Sequence, residues 1–298
     1  MEQKVAENLF QQNIGPDYES VEMVENGDLV NTYIFEHDPN YVLQFPRFDS
    51  RGFDLGLSIY ENLESSEIPV PEVIDRRYGE DSYAVLEYLQ GDDLNNIEDP
   101  KDHLFYQAGQ VLADIHQEYE FDGYGYISRQ SLELPSPSRD WRMFFQARTG
   151  SRIDDLRGKI IDISEASSLE RKIASGVPRK PESALLHNDY AGRNIRVGSD
   201  LEAIMDFDSC FVGDPDFDFV KARENFKRDF GENEALSFEK GYRDNKELGE
   251  NFEAKETAYM VSELTNEAWA LRQLTRMGRR KQDKEEIEDL VSSALKLC

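Results

Sequence analysis

The sequence predicts an α+β fold in two lobes, with a small strand-rich N-terminal lobe over residues 1–89 and a larger, mainly helical lobe over 90–298. Three observations carry this expectation. Residues 18–48 read as strands broken by turns at Asn26-Gly27 and His37-Asp38-Pro39-Asn40. Beyond Gly91 most of the chain has helical periodicity. Within that helical part, short apolar segments between 184 and 205 read as strands joined by tight turns.

Taken in order, residues 1–13 form a candidate helix, and the strands of 18–48 follow. Phe53 to Glu64 places Leu55, Ile59 and Leu63 on one helical face. Val85 to Tyr88 closes the small lobe. Leu104, Ala108, Val111, Leu112 and Ile115 make an amphipathic stripe. Pro135-Ser136-Pro137-Ser138 is a loop, with Ser138 placed to cap a helix through Trp141 and Phe145. Ala184-Leu185-Leu186 is a short strand. Ile195-Arg196-Val197 is another, which turns at Gly198-Ser199-Asp200 and returns as Leu201 to Met205. Asp214 or Asp216 caps the next helix, with Pro215 near its first turn. Residues 234–245 and 252–278 read as helices. The charged run Lys281 to Glu288 is the solvated face of a final helix that turns Leu290, Val291 and Leu295 inward. No internal repeat is visible.

Composition narrows the class. The chain has 298 residues, 39% hydrophobic and 11% aromatic, which suits a globular enzyme and is too apolar for a disordered chain. Its formal charge is -27, from 61 acidic against 34 basic residues, and such a surface repels nucleic acid and anionic membranes. The excess is spread over both halves, which fits a protein adapted to high salt, a halophilic setting; an ordinarily acidic cytosolic enzyme is the alternative. Cys210 and Cys298 suggest free thiols in a reducing compartment. Met1 to Gln12 lacks a signal-peptide core, and no stretch approaches the ~20 apolar residues needed to span a membrane, so a soluble, cytoplasmic protein is expected. The sequence does not indicate an oligomeric state.

The chemistry concentrates in His187-Asn188-Asp189-Tyr190-Ala191-Gly192-Arg193-Asn194 and Ile204-Met205-Asp206-Phe207-Asp208. An Asp five residues before an Asn, then an Asp after a strand–turn–strand, suits phosphoryl transfer. That reaction needs a carboxylate to orient the attacking hydroxyl and accept its proton, a role for Asp189. It also needs oxygen ligands to hold Mg²⁺ against nucleotide phosphates, a role for Asn194 and Asp206. The hairpin between them brings Asp206 back beside Asn194.

At these residues the chain resembles the aminoglycoside phosphotransferase family of kinase-like small-molecule phosphotransferases. The resemblance continues through Gly213-Asp214-Pro215-Asp216-Phe217-Asp218, matching the family's G-D-P-x-x-D. It extends more loosely to Tyr41 to Arg47 as a third strand and to Ile68 to Ile74 as a proline-marked link. Ser82 to Gly91, Gln107 to His116, Asp122 to Gly125 and Asp140-Trp141 match further landmarks, so about residues 20 to 280 are covered. The resemblance implies a bilobal protein-kinase-like fold, ATP and Mg²⁺ as cofactors, and a small-molecule hydroxyl acceptor. Adenine is expected against Glu87, Tyr88 and Leu89. His187, Asp214 and Asp218 are expected to support the catalytic loop, and His116 to be structural. Asp208 either helps a second metal or hydrogen-bonds the turn. Trp141, Trp269 and Tyr259 are candidates for either the acceptor pocket or the core.

The chain departs from the family at the phosphate-binding side of the nucleotide site. Gln44 stands on the third strand where a Lys or Arg usually contacts the α- and β-phosphates, and Arg47, three residues on, falls on the opposite strand face. Gly56 stands where the following helix usually offers the paired Glu, with Asp54 and Glu61 nearby. The candidate phosphate loop, Glu25 to Asn31, has a single Gly. These departures favour a second reading, a non-catalytic nucleotide-binding pseudokinase. A protein kinase is disfavoured because no Ala-Pro-Glu-type segment follows Asp206. A metal-dependent hydrolase needs a fuller His/Asp ligand set than four scattered His supply.

Overall fold

The computed structural model describes residues 2–24, 30–129, 131–276 and 284–298. The N-terminal region is a five-stranded antiparallel sheet made of β1 (Ser20–Val24), β2 (Val30–Glu36), β3 (Tyr41–Pro46), β4 (Val73–Arg77) and β5 (Tyr83–Glu87), in the order β1-β2-β3-β5-β4. Two helices cover it, α1 (Glu2–Asn13) and α2 (Arg51–Leu63). Strand alternation separates the two faces. Tyr33, Phe35, Leu43, Tyr83 and Val85 point to one side and pack with Ala6 and Phe10 of α1, where Phe10 stacks on Phe35 at 4.0 Å. Ala84 and Leu86 point to the other and join Phe53, Leu57, Ile59, Tyr60 and Leu63 of α2 in the main core. The expected turn at Asn26-Gly27 lies outside the described residues.

The chain leaves β5 through residues 88–91 and enters a helical body. Its elements are β6 (Asp92–Asp93), α3 (Asp102–Glu118), α4 (Trp141–Leu156), α5 (Ile163–Gly176), β7 (Ala184–Leu186), β8 (Ile195–Val197), β9 (Leu201–Ile204), β10 (Phe211–Gly213), α6 (Pro215–Asp229), α7 (Glu232–Asn245), α8 (Phe252–Arg276) and α9 (Lys284–Lys296). β10 pairs with β7, while β8 lies between β6 and β9. The α3 stripe buries Leu104, Ala108, Leu112 and Ile115, as its spacing predicts. α3 and α7 touch backbone to backbone at reciprocal glycines. A Cβ on Gly109 would meet the Phe238 carbonyl at 2.0 Å, and one on Gly241 the Tyr106 carbonyl at 1.9 Å.

Two local expectations change. The cap of α4 is Asp140, not Ser138. The Asp140 carboxylate accepts from the Met143 amide at 3.1 Å and from Arg179 Nε at 2.6 Å. Ser138 Oγ is occupied one step earlier, accepting from the Asp140 amide at 3.2 Å. At α6 the choice between two acids resolves to Asp214, whose side chain accepts from the Asp216 amide at 3.1 Å with Pro215 following. α9 turns Val291 inward with Leu290 and Leu295 against the core, and Lys281 to Asp283 lie outside the described residues. Among the described residues no helix is long and apolar enough to cross a membrane.

Candidate active site

β7 delivers the chain to His187, which is fully buried, and Asp218 of α6 waits there with no exposed surface. The Asp218 carboxylate accepts from the His187 amide at 2.7 Å, from the Asn188 amide at 2.8 Å and from His116 Nε2 at 3.2 Å. Burial alone raises the pKa of such a group. The His116 hydrogen bond and charge, His187 and the Asn188 amide outweigh that and hold it below the ordinary carboxylate value. His116 is therefore structural, as expected, and its Nδ1 is anchored by the Tyr242 hydroxyl at 2.8 Å. Asn188 takes a left-handed backbone, φ 62°, a conformation Asn tolerates better than most residues. One His187 tautomer serves two loops, since Nε2 donates to the Met205 carbonyl at 3.0 Å while Nδ1 accepts from the Asp189 amide at 3.2 Å.

Asp189 is half-buried at the end of this turn. Its Oδ1 accepts from Arg193 at 2.5 Å, and its Oδ2 from Asn194 Nδ2 at 3.1 Å. Asn194 Nδ2 also donates to the Asp189 carbonyl at 2.9 Å, so the amide nitrogen faces Asp189 and Oδ1 faces away. The Met205 amide donates to the Asn194 carbonyl at 2.8 Å, which seats the next residue, Asp206, beside Asn194. Asp206 has φ 64°, and its amide donates to the Tyr60 hydroxyl of α2 at 2.9 Å. The fold therefore gathers Asp189, Asn194 and Asp206 at one point. Asp206 opens to solvent yet has protein packed closely around it. That packing, followed by the charge of Asp189, raises its pKa. A carboxylate and a carboxamide oxygen beside a second carboxylate fit Mg²⁺, which takes few protein ligands and fills its octahedron from phosphates and water. Among the described residues no three His, Cys, Asp or Glu side chains surround one point, so the fuller ligand set of a metal hydrolase is not assembled there.

Asp208 turns toward α2. An added Cβ on Gly56 would lie 2.5 Å from its Oδ1, and one on Gly52 would lie 3.1 Å from its carbonyl. Burial, then Asp206 and Asp54, push the Asp208 carboxyl up to about 7. The space that a helix Glu fills in the family pattern is thus taken by Asp208. Asp54 and Glu61 do not substitute for that Glu. Asp54 accepts from Ser50 and Ser82, and Glu61 pairs with Arg76 and Tyr78. Gln44 donates to Thr32 Oγ1 at 3.3 Å, while Arg47 donates to Asn31 Oδ1 at 3.0 Å. Asn31 alternates with Thr32 along β2, so Arg47 lies across the sheet from Gln44, as its spacing predicts. Glu87 fixes the link after β5 by accepting from the Glu72 amide at 2.9 Å, and Tyr88 and Leu89 follow half-buried. Of the candidate phosphate loop, Glu25 to Leu29 lie outside the described residues.

Behind the catalytic turn, Asp214 anchors a buried network. Tyr259 donates to its Oδ2 at 2.6 Å, Trp141 Nε1 donates to the Tyr259 hydroxyl at 2.9 Å, and Lys255 bridges Asp214 and Asp216. Burial pushes the Asp214 carboxyl up to about 6, with Lys255 opposing. Trp141 and Tyr259 have no exposed surface and belong to the core, whereas Trp269 is half-buried beneath the Arg152 guanidinium. Lys255 escaped the sequence reading, though it shares the buried stripe of Ala258, Tyr259 and Ser262, where an apolar residue is the usual occupant. Arg148 escaped it too; its Nη2 donates to Asn188 Oδ1 at 3.3 Å.

A five-stranded sheet over a helical body, with the Asp–Asn–Asp junction beneath α2, defines a kinase-like phosphotransferase fold. The phosphotransferase enzyme family model matches residues 22–252, and the chain belongs to that family. Solved structures share the fold along the whole chain. Aminoglycoside phosphotransferase APH(4)-Ia is 15% identical, with a TM-score of 0.75, over 100% of this chain and 99% of its own. A thermostable mutant of APH(4)-Ia in ternary complex with AMP-PNP and hygromycin B is 16% identical, with a TM-score of 0.73, over 98% of each chain. ADP-bound aminoglycoside phosphotransferase APH(2'')-Ib is 21% identical, with a TM-score of 0.67, over 100% of this chain and 98% of its own. No curated protein matches the sequence.

Proposed function

We propose that the protein transfers the γ-phosphoryl group of ATP, with Mg²⁺, to a hydroxyl of a small molecule. The observation that carries this reading is the junction of Asp189, Asn194 and Asp206, built by hydrogen bonds from α2, α6 and the 194–205 hairpin. Residues 1–89 form the nucleotide lobe and 90–298 the catalytic and acceptor lobe. Adenine lies against Glu87 to Leu89. Asp189 aligns the acceptor hydroxyl and takes its proton as the new P–O bond forms and ADP leaves. Bound Mg²⁺ supplies charge neutralisation on the phosphates. Asn194 Oδ1 and Asp206 are the side-chain oxygens that hold it. Arg193 shares Asp189 with the incoming hydroxyl. Support for the nucleotide comes also from the similar APH(4)-Ia structure that contains AMP-PNP. The free cysteines, one of them buried, fit a reducing, cytoplasmic setting.

The pseudokinase reading keeps one specific observation in its favour: Gln44 and Gly56 replace both members of the usual ion pair. A two-part experiment separates the readings. Mg·ATP is expected to raise the melting midpoint, because a ligand bound to the folded state stabilises it by mass action. ADP release above background is expected with at least one member of a panel of hydroxyl-bearing small molecules. A melting shift with no acceptor ever phosphorylated favours the pseudokinase, and no shift at millimolar Mg·ATP removes the nucleotide site.

A further inference from the structure

The acceptor side of the catalytic turn runs against the charge of the molecule. In a chain of formal charge -27, cations ordinarily find carboxylates. On α6 and α8 they do, since Lys221 meets Glu263 at 3.2 Å and Arg228 meets Glu267 at 2.8 Å. Facing them on α4 are Arg148 and Arg152, one helical turn apart, and among the described residues neither has a carboxylate within ion-pair distance. Arg148 reaches the residue next to Asp189 through its bond to Asn188. Each guanidinium lies over an aromatic ring, Arg148 at 4.7 Å from the Phe211 centroid and Arg152 at 5.3 Å from that of Trp269, with N–H edges left to donate.

Those edges are unmet. Arg148 Nη1 and Arg152 Nη1 are buried without hydrogen-bond partners, and so is Glu263 Oε1 across from them. Buried polar atoms without partners are few in native structures, so a group of them calls for a partner that the folded chain itself does not supply. Burial, then the charge of the neighbouring Arg148, lower the Arg152 pKa to about 10, and the Glu263 carboxylate opposes them only in part. We propose that the acceptor carries an anionic group, a carboxylate or a phosphate, beside its hydroxyl, and that the Arg148–Arg152 pair receives it. Planar guanidinium donors match either oxyanion in bidentate fashion. Glu263 Oε1 accepts a hydroxyl or amine of the same molecule. A polycationic acceptor meets like charge at this pair. The inference rests on the phosphotransferase reading and narrows its acceptor.

The test uses the full chain with Mg²⁺ and AMP-PNP, so that the nucleotide site is filled, and matched probes: glycerol 3-phosphate and glycerate against glycerol, gluconate against glucose, and kanamycin as a polycation. Melting midpoints report binding, and ADP release reports transfer when ATP replaces the analogue. Anionic probes are expected to raise the midpoint and release ADP more than their neutral partners or kanamycin, and the responding arm separates carboxylate from phosphate. Arg152→Gln is expected to raise the half-saturating concentration of the responding probe about tenfold or more, and Arg152→Lys to recover part of it. The Mg·AMP-PNP shift should stay intact in both variants. Neutral or cationic probes performing as well as anionic ones, no anionic response, or unchanged discrimination in Arg152→Gln overturns the proposal. Absence of the nucleotide shift in the parent protein overturns the phosphotransferase reading instead.

Discussion

Asp206 combines a left-handed backbone with a carboxylate proposed to hold Mg²⁺, so its test substitution must preserve one while changing the other. Asp206→Asn keeps a residue tolerant of φ 64° and removes the one anionic side-chain donor proposed for Mg²⁺. It is expected to weaken Mg²⁺-dependent ATP binding, whereas Asp189→Ala leaves that binding near normal and lowers turnover by about 10²–10⁴. Titration calorimetry with Mg·ATP beside ADP release separates the two, and full turnover in Asp189→Ala would falsify its assigned role. Gly56 supports a sharper test. Gly56→Ala brings a methyl onto Asp208 Oδ1 and should destabilise the protein despite the better helix propensity. In an Asp208→Gly background the same change should stabilise it, by about 0.5–1 kcal/mol. Additive effects in a urea double-mutant cycle would show that the two sites do not meet. At this scale the sequence was informative where partners are close along the chain. Asp189, Asn194 and Asp206 were legible from spacing, and the placement of Arg47 followed from strand alternation. Gly56 was seen as a missing Glu. That Asp208 fills its space was not visible, because nothing local ties residues of α2 to a loop so far along the chain.

Elements were read well where periodicity is strong, as in α2, α3, α7 and α8, and less well at their joints. Ser138 is a possible cap from local sequence, because a serine hydroxyl can accept from a first-turn amide. The choice of Asp140 depends on Arg179, 39 residues away, which no local pattern reveals. The joint between α6 and α8 is the clearest case. Lys255 is 5% exposed and is held by Asp214 and Asp216 at the other helix's start. Lys255→Met should leave two buried carboxylates uncompensated and cost about 3–5 kcal/mol at pH 7. The loss should shrink on acidification. The folded pKa of Asp214, about 6, lies above the ordinary carboxylate value of 3.8. Its protonation therefore favours the fold, and that contribution is full below the unfolded value and is lost as pH rises through about 6. Without Lys255 the carboxyl rises further. Urea midpoints at pH 7 and pH 5 should thus show a narrower gap between variant and parent at pH 5, and a gap that widens would refute the account.

For the whole molecule, a formal charge of -27 predicts self-repulsion that salt relieves. The Debye length falls from about 30 Å at 0.01 M to about 3 Å at 1 M, so distant like charges act at the first limit and not at the second. Melting midpoints should climb across a KCl series between these concentrations, and a flat or falling series removes the high-salt reading without touching the site. The two-lobed α+β architecture was legible because strand alternation and helical stripes each occupy long separate stretches. How the sheet meets the helical body was not, because that depends on a few contacts such as the Tyr60 hydroxyl on the Asp206 amide, 146 residues apart. That meeting has a pharmacological consequence. In protein kinases a Lys–Glu pair ties the helix to the sheet and must be in place for activity, which makes the pair a point of attack. Here α2 is seated by apolar packing, Tyr60 and the room that Gly52 and Gly56 leave for Asp208. A compound that acts by breaking that ion pair finds Gln44 and Gly56 in its place, and selective chemistry against this chain would have to work on the seating of α2 against Asp208.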